Sequence, residues 1–338
     1  MRKTVIYSVL WMAALFSSCI KEGGLEAESM DTYVQLVISN AASRAGENTA
    51  PADPINRLRV YAFNAQGEKI GYLFRDGLNT SEGISLPMPL DKQQSGSEVY
   101  FYVLANDIDG WGLSETTPRA NLNSMSFARW EDNTVPASAP MVNNDNSAGK
   151  GDYLTEVDLT PTSGSKWVTV NVNIQHIIGR VRLFFQKEGD SHVSINEAIV
   201  KHGPDQYRLF DGGELTFQNS QTAEDKFITS PREITSVNGY QEVGKTYLAP
   251  NPYGSKASTG DTYDPAYPEN AQNDGGLEYA YILTIKYTIG NVEKSKDVYL
   301  PPVSRNQSID VKGIIRGQQI EFESIIVEPW GENNIDLE

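Results

Sequence analysis

Val168, Val170, Val172 and Ile174 alternate without a break against Thr169, Asn171, Asn173 and Gln175. A strict period of two sets the apolar side chains on one face of an extended strand, whereas on a helix the same spacing scatters them around the axis. Similar short runs recur along the chain, separated by turn chemistry. Val34, Leu36 and Ile38 alternate with Gln35, Val37 and Ser39. Leu58, Val60 and Ala62 share one face of a run that reaches "NAQG" (64–67), the form of a hairpin. Val99, Phe101 and Val103 oppose Tyr100, Tyr102 and Leu104, so this strand is apolar on both faces and belongs in the middle of a sandwich. Further strands are expected at 193–200, 206–216, 278–289 and 296–300, and in the stretch 314–330. Residues 107–166 and 250–276 read as loop-rich, with one short helix around Arg119 to Trp130. Tyrosines (17) outnumber phenylalanines (11), as suits half-exposed strands. The fold class is all-β: two tandem β-sandwich domains with long loops and little helix, divided as 45–165 and 166–338.

The N-terminus has a different character. Arg2 and Lys3 precede an apolar run from Val5 to Phe16, then Ser17, Ser18 and Cys19. The run is too short to span a bilayer and reads as a secretory signal. Cys19 is the only cysteine, so no disulfide forms within the chain. Its place after the signal, with Leu15 and small residues just ahead of it, resembles the acylation site of a bacterial lipoprotein. Phe16 departs from that pattern, standing where a small aliphatic residue is usual. Residues 1–19 are thus the signal ending at the acylated cysteine, and 20–44 a propeptide that contains the strand around Val34, Leu36 and Ile38. The loop after that strand, "AASRAGENTAP", carries a single basic residue, Arg44.

Composition narrows the function classes. A formal net charge of −16 without clustered Lys and Arg excludes nucleic acid as a partner. The three histidines, His176, His192 and His202, have no neighbours at zinc-site spacing, and no nucleophile elbow or phosphate-binding glycine loop occurs. "NNDNSAGKGD" (143–152) offers oxygens from Asn144, Asp145, Asn146 and Asp152 but lacks the flanking helices and terminal glutamate of a calcium loop. No metal, no cofactor and no enzymatic activity is expected.

Several phrases occur in a telling order: an acylatable cysteine, "SRAGENT", "INRLRVYAFNAQGEKI", "YFYVLAND", "IQHIIGRVRLFF", "LPPVSRNQSIDVKGIIRG" and a terminal "IIVEPW". From Cys19 to Trp330 this series resembles the fimbrillin family of Bacteroidia, the type V pilins, and is similar to its minor-fimbrium branch. The resemblance implies transthyretin-like sandwiches, export as an outer-membrane lipoprotein, and cutting by an arginine-specific surface protease. It places the cut at Arg44, with Ala45 as the new N-terminus, and it implies polymerisation by strand exchange into a surface fibre that supports adhesion. Partners are then other copies of the chain, fimbrial accessory subunits, the protease, and the outer membrane through the lipid until cleavage. Residues 1–44 hold four basic groups (Arg2, Lys3, Lys21, Arg44) and four acidic ones (Glu22, Glu26, Glu28, Asp31), so the mature piece keeps the charge of −16.

Elementary energetics supports a removable strand. Burying Val34, Leu36 and Ile38 contributes about 1.5–3 kcal/mol each. Their removal forfeits roughly 5–9 kcal/mol, comparable to the net stability of a domain. It leaves an apolar groove with unpaired backbone groups, which a strand from another subunit can fill. The resemblance places the donor near the C-terminus, where Ile320, Phe322 and Ser324 share one parity and Ile325, Val327, Ile335 and Leu337 supply further candidates. The tail beyond Trp330 is short and ends in acidic residues, which makes it a poor donor alone. A cleavage site together with a donor indicates a stalk subunit; a tip subunit lacks the donor and an anchor lacks the cleavage. Two rivals remain open. One is a non-polymerising lipoprotein that binds glycans or host protein through Trp111, Trp130, Tyr253, Tyr263 and Tyr267. The other is a hydrolase built on paired carboxylates, which the 44 acidic residues supply by chance.

Overall fold

The computed structural model describes residues 32–40, 54–81, 83–91, 98–128, 139–143, 155–158, 167–210, 224–255, 257–259, 262–263 and 279–329. The first half supplies β1 (Thr32–Asn40), β2 (Ile55–Asn64), β3 (Lys69–Thr80), β4 (Ile84–Leu90), β5 (Glu98–Ala105), the short helix α1 (Arg119–Ser124), β6 (Ser126–Ala128), β7 (Met141–Asn143), β8 (Thr155–Asp158) and β9 (Trp167–His176). The second supplies β10 (Gly179–Lys187), β11 (Val193–Lys201), β12 (Gln206–Arg208), β13 (Glu224–Ile228), β14 (Arg232–Glu233), β15 (Gln241–Leu248), β16 (Ala257–Thr259), β17 (Thr262–Tyr263), β18 (Ile282–Ile289), β19 (Val292–Tyr299), β20 (Gln307–Arg316) and β21 (Gln319–Pro329).

Eight of these strands form one sheet in the order β3-β2-β5-β7-β9-β1-β4, with β8 on β5. Its two ends approach each other. The amide of Asp91, just past β4, donates to the Ile70 carbonyl of β3 at 2.7 Å. Gly71 permits this approach, since a Cβ there would lie 2.5 Å from Leu90 and 2.8 Å from Met88. The sheet thereby folds over its own core, which gathers Val34, Leu36 and Ile38 with Leu58, Val60, Val99, Phe101, Val170 and Val172. The second half packs a six-stranded sheet (β15-β10-β20-β21-β17-β16) and a five-stranded one (β13-β11-β18-β19, with β14 on β11) about a separate core centred on Leu183, Phe185, Ile285, Val311 and Ile325.

The hairpin turns at Asn64–Gly67 as its sequence indicates, with Gly67 donating to the Asn64 carbonyl at 3.0 Å. The strand that is apolar on both faces, β5, has a more specific reason than a central position. Val99, Phe101 and Val103 face the first core, whereas Tyr102 and Leu104 face a third cluster with Tyr61, Phe63, Ile177, Ile178, Leu209 and Phe210. This third cluster joins the two halves; Tyr102 meets Phe210 edge to face at 5.0 Å. The ladder between β6 and β12 crosses the same boundary.

One element corrects the expected division at 165/166. β9 begins beyond it yet pairs with β1 and β7 in the first sheet, so the passage between sheets lies at Ile177–Ile178. The expected strand 206–216 extends as β12 only over 206–208, and residues 211–223 lie outside the described residues.

Polar side chains lock the halves internally. Arg59 Nε donates to Asp107 Oδ2 at 3.1 Å and stacks over Phe74, 4.4 Å from its centroid. Arg182 forms a bidentate pair with Asp310 at 2.7 and 2.6 Å, both residues buried. Removal of the Phe210 ring is expected to cost about 3–5 kcal/mol. In urea unfolding of Phe210→Ala, the single transition is expected to broaden or split as the two halves lose their common cluster.

Candidate functional site: the seat of the first strand

β1 lies between two walls. It runs antiparallel to β4, with Val34 opposite Met88 and Ile38 opposite Ile84. It runs parallel to β9, with Val34 beside Val168 and Ile38 beside Val172. Its period of two matches that of both neighbours, so Val34, Leu36 and Ile38 all enter the first core at 0% exposure. On the other face Gln35, Val37 and Ser39 are half-buried. Gln35 Nε2 donates to Ser85 Oγ at 2.6 Å, and Ser39 Oγ to Asn173 Oδ1 at 2.7 Å.

The β4 wall went unread in the sequence, although its signal is clear in retrospect. Ile84, Leu86, Met88 and Leu90 alternate strictly, but Pro87 and Pro89 sit between them and suggest a loop. Proline is tolerated in a strand that closes the strand order, where a missing N–H need not cost a ladder bond. Among the described residues β4 has β1 as its only ladder partner. Removing β1 therefore strips β4 of its ladder as well as emptying the seat.

No charged residue occupies any paired position of β1, β4 or β9 across the seat, in a chain of net charge −16. The groove is apolar on its inner side and neutral outside. It suits an uncharged strand with three alternate apolar side chains.

The other expected site residues fall elsewhere. Cys19, Arg44, Ala45, Ile335 and Leu337 lie outside the described residues. Ile325 (0% exposed) and Val327 (7%) belong to the second core, not to the β1 seat. They lie on β21, which pairs with β20 from Gln319 to Pro329 with a bulge at Glu323. The bulge changes parity, so that Ile320 and Phe322 before it and Ile325 and Val327 after it all turn toward that core.

His176 ends β9 fully buried, its Nδ1 2.9 Å from Asn306 Oδ1. His192 is exposed, 3.6 Å from Glu233, and His202 adopts a left-handed backbone with φ of 65°. Among the aromatics considered for ligand stacking, Trp111 is half-buried against the third cluster, and Tyr253 packs on Tyr279 at 5.4 Å. Trp130 and Tyr267 lie outside the described residues, as does the side chain of Tyr263. Among the described residues no cluster of three or more His, Cys, Asp or Glu is placed to hold a metal, and no helix is long and apolar enough to cross a membrane.

Truncating Leu36 to alanine in the uncut chain is expected to destabilise the first half by about 2–5 kcal/mol. Because no Asp, Glu, His, Lys or Arg occupies a paired position of the seat, denaturant titrations should give the same loss at about pH 5 and pH 9.

Residues 32–179, which include β1 and both its walls, match the protein family described as Major fimbrial subunit protein (FimA). No curated protein sequence matches the chain at a significant level. Among solved structures, the fold is similar to a candidate cell adhesion protein from Parabacteroides distasonis (TM-score 0.59, 11% identity, 89% of this chain and 97% of that one). It is also similar to the tip fimbrial protein Mfa3 from Porphyromonas gingivalis, with C-terminal truncation (TM-score 0.58, 12% identity, 89% and 100%). A fimbrilin, FimA, from the same organism follows (TM-score 0.53, 11% identity, 90% and 99%). At such identities these likenesses are of fold, and they extend along both halves. Over residues 32–179 the chain thus matches the FimA family of fimbrial subunits, and the fold of both halves is similar to those of fimbrial proteins.

Proposed function

We propose that this subunit is exported as a lipoprotein acylated at Cys19, cut at the cell surface after Arg44, and built into a fimbria by exchange of β1 for a strand of another subunit. Its role is structural, without catalysis. The observation that carries the reading is the placement of β1: a strand with three fully buried side chains, paired on both edges, and followed within a few residues by the loop that holds Arg44. An arginine-specific protease adds water across the Arg44–Ala45 bond, leaving a carboxylate on the propeptide and an amine on the mature chain. From then on β1 is held only by non-covalent contacts. A replacement strand that repeats its pattern recovers the same burial and both ladders.

A stalk role requires the chain to give a strand as well as to take one. One observation favours a second reading, a terminal subunit that accepts without donating. Ile320, Ile325 and Val327 fill this chain's own second core, and lending β21 would open that core.

The two readings part in one experiment. Cut, purified subunit is expected to form a ladder of heat-sensitive multimers if it is a stalk protein. It should stay monomeric yet bind a different fimbrial subunit if it is terminal. Arg44→Ala should leave residues 19–44 attached by intact mass and abolish assembly in either case. Undiminished assembly of that variant would remove the cleavage step from the account.

A further inference from the structure

We infer that cutting after Arg44 leaves β1 seated: the severed strand stays as a non-covalent plug, and its departure, not the cut, sets the pace of exchange. This inference rests on the proposed function above and concerns how that same site is regulated.

The pairing of β1 ends at Asn40, so hydrolysis at Arg44 breaks none of its described contacts. Seven residue pairs to β4 and eight to β9 remain, along with three side chains at 0% exposure. Departure is costlier still because β4 has no other ladder partner among the described residues. The walls also offer an invader no starting point. Every residue of β4 from Ile84 to Leu90 faces a β1 partner, and so does every residue of β9 from Trp167 to Ile174. A displacing strand must therefore wait until β1 frays, and the rate of replacement becomes independent of the challenger's concentration.

Two consequences follow for assembly. The apolar groove is never left open to water or to wrong partners. And because the acylated Cys19 lies on the same piece as β1, a cut subunit stays tethered to the membrane until its groove is about to be refilled.

The test uses the lipidated chain from Cys19 onward in detergent, cut after Arg44 with an arginine-specific protease and verified by intact mass. The probe is a dye-labelled peptide of residues 31–41. The propeptide is expected to co-elute with the cut subunit under non-denaturing conditions. The labelled peptide should enter at one rate across about a hundredfold range of its concentration. Leu36→Ala should speed entry about tenfold or more, since the lost contacts belong to the leaving strand. Its mature chain is identical to wild type, so the change reports release alone. Ile38→Val, a milder truncation, serves if Leu36→Ala does not fold. Loss of the propeptide on cutting, or an entry rate that rises in proportion to peptide concentration, would overturn the inference while leaving the proposed function standing. A chain that resists cutting at Arg44 contradicts the proposed function itself, and the intact mass shows this before any exchange is measured.

Discussion

The pairing of β1 with both β4 and β9 is the constraint on which the first half depends. A strand at the edge of a sheet can leave at modest cost, but β1 is interior, and among the described residues it is the only ladder partner of β4. Burial of Val34, Leu36 and Ile38 closes the core, while the ladders satisfy the backbone groups on either side. In the proposed exchange, the residues that bury β1 also define the pattern a replacement must match, so that stability before the cut and specificity of assembly become one property of a single groove.

The rest of the molecule provides a stiff frame for that groove. The phrases that resemble the fimbrillin family turn out to be partners of one another. Arg59 of "INRLRVYAF" holds Asp107 of "YFYVLAND". His176 of "IQHIIGRVRLFF" meets Asn306 of "LPPVSRNQSIDVKGIIRG", and Arg182 meets Asp310. The two Arg–Asp pairs are buried, where losing one partner leaves the other desolvated and uncompensated. Such residues fix the fold. The third hydrophobic cluster, with Tyr102 against Phe210, carries this stiffness from one half to the other.

Much of this was legible in the sequence because period-two alternation reports burial directly. β1, β2, β5, β9 and β11 could be read from it, and so could the turn at Asn64–Gly67. What escaped was long-range. Nothing local in Trp167–His176 says that the strand returns to pair beside β1, so the division between halves was placed ahead of it. The β4 wall was hidden by Pro87 and Pro89, residues that usually end a strand and here occupy one that closes the strand order. On β21 the parity change after Phe322 appeared as two competing faces, and only the bulge at Glu323 reconciles them. β1 as a buried strand was thus legible and its seat was not, because a seat consists of segments distant in sequence.

The most direct test of the central claim is hydrogen exchange at the amides of Leu86, Met88 and Leu90, all on the wall whose ladder is to β1. The account predicts strong protection in the uncut chain, loss of that protection once β1 has been stripped from the cut subunit, and its return when a strand of matching pattern is added. Protection that survives the stripping of β1 would mean that β4 holds its place without that strand, and would contradict the claim that β1 is the replaceable core of the groove.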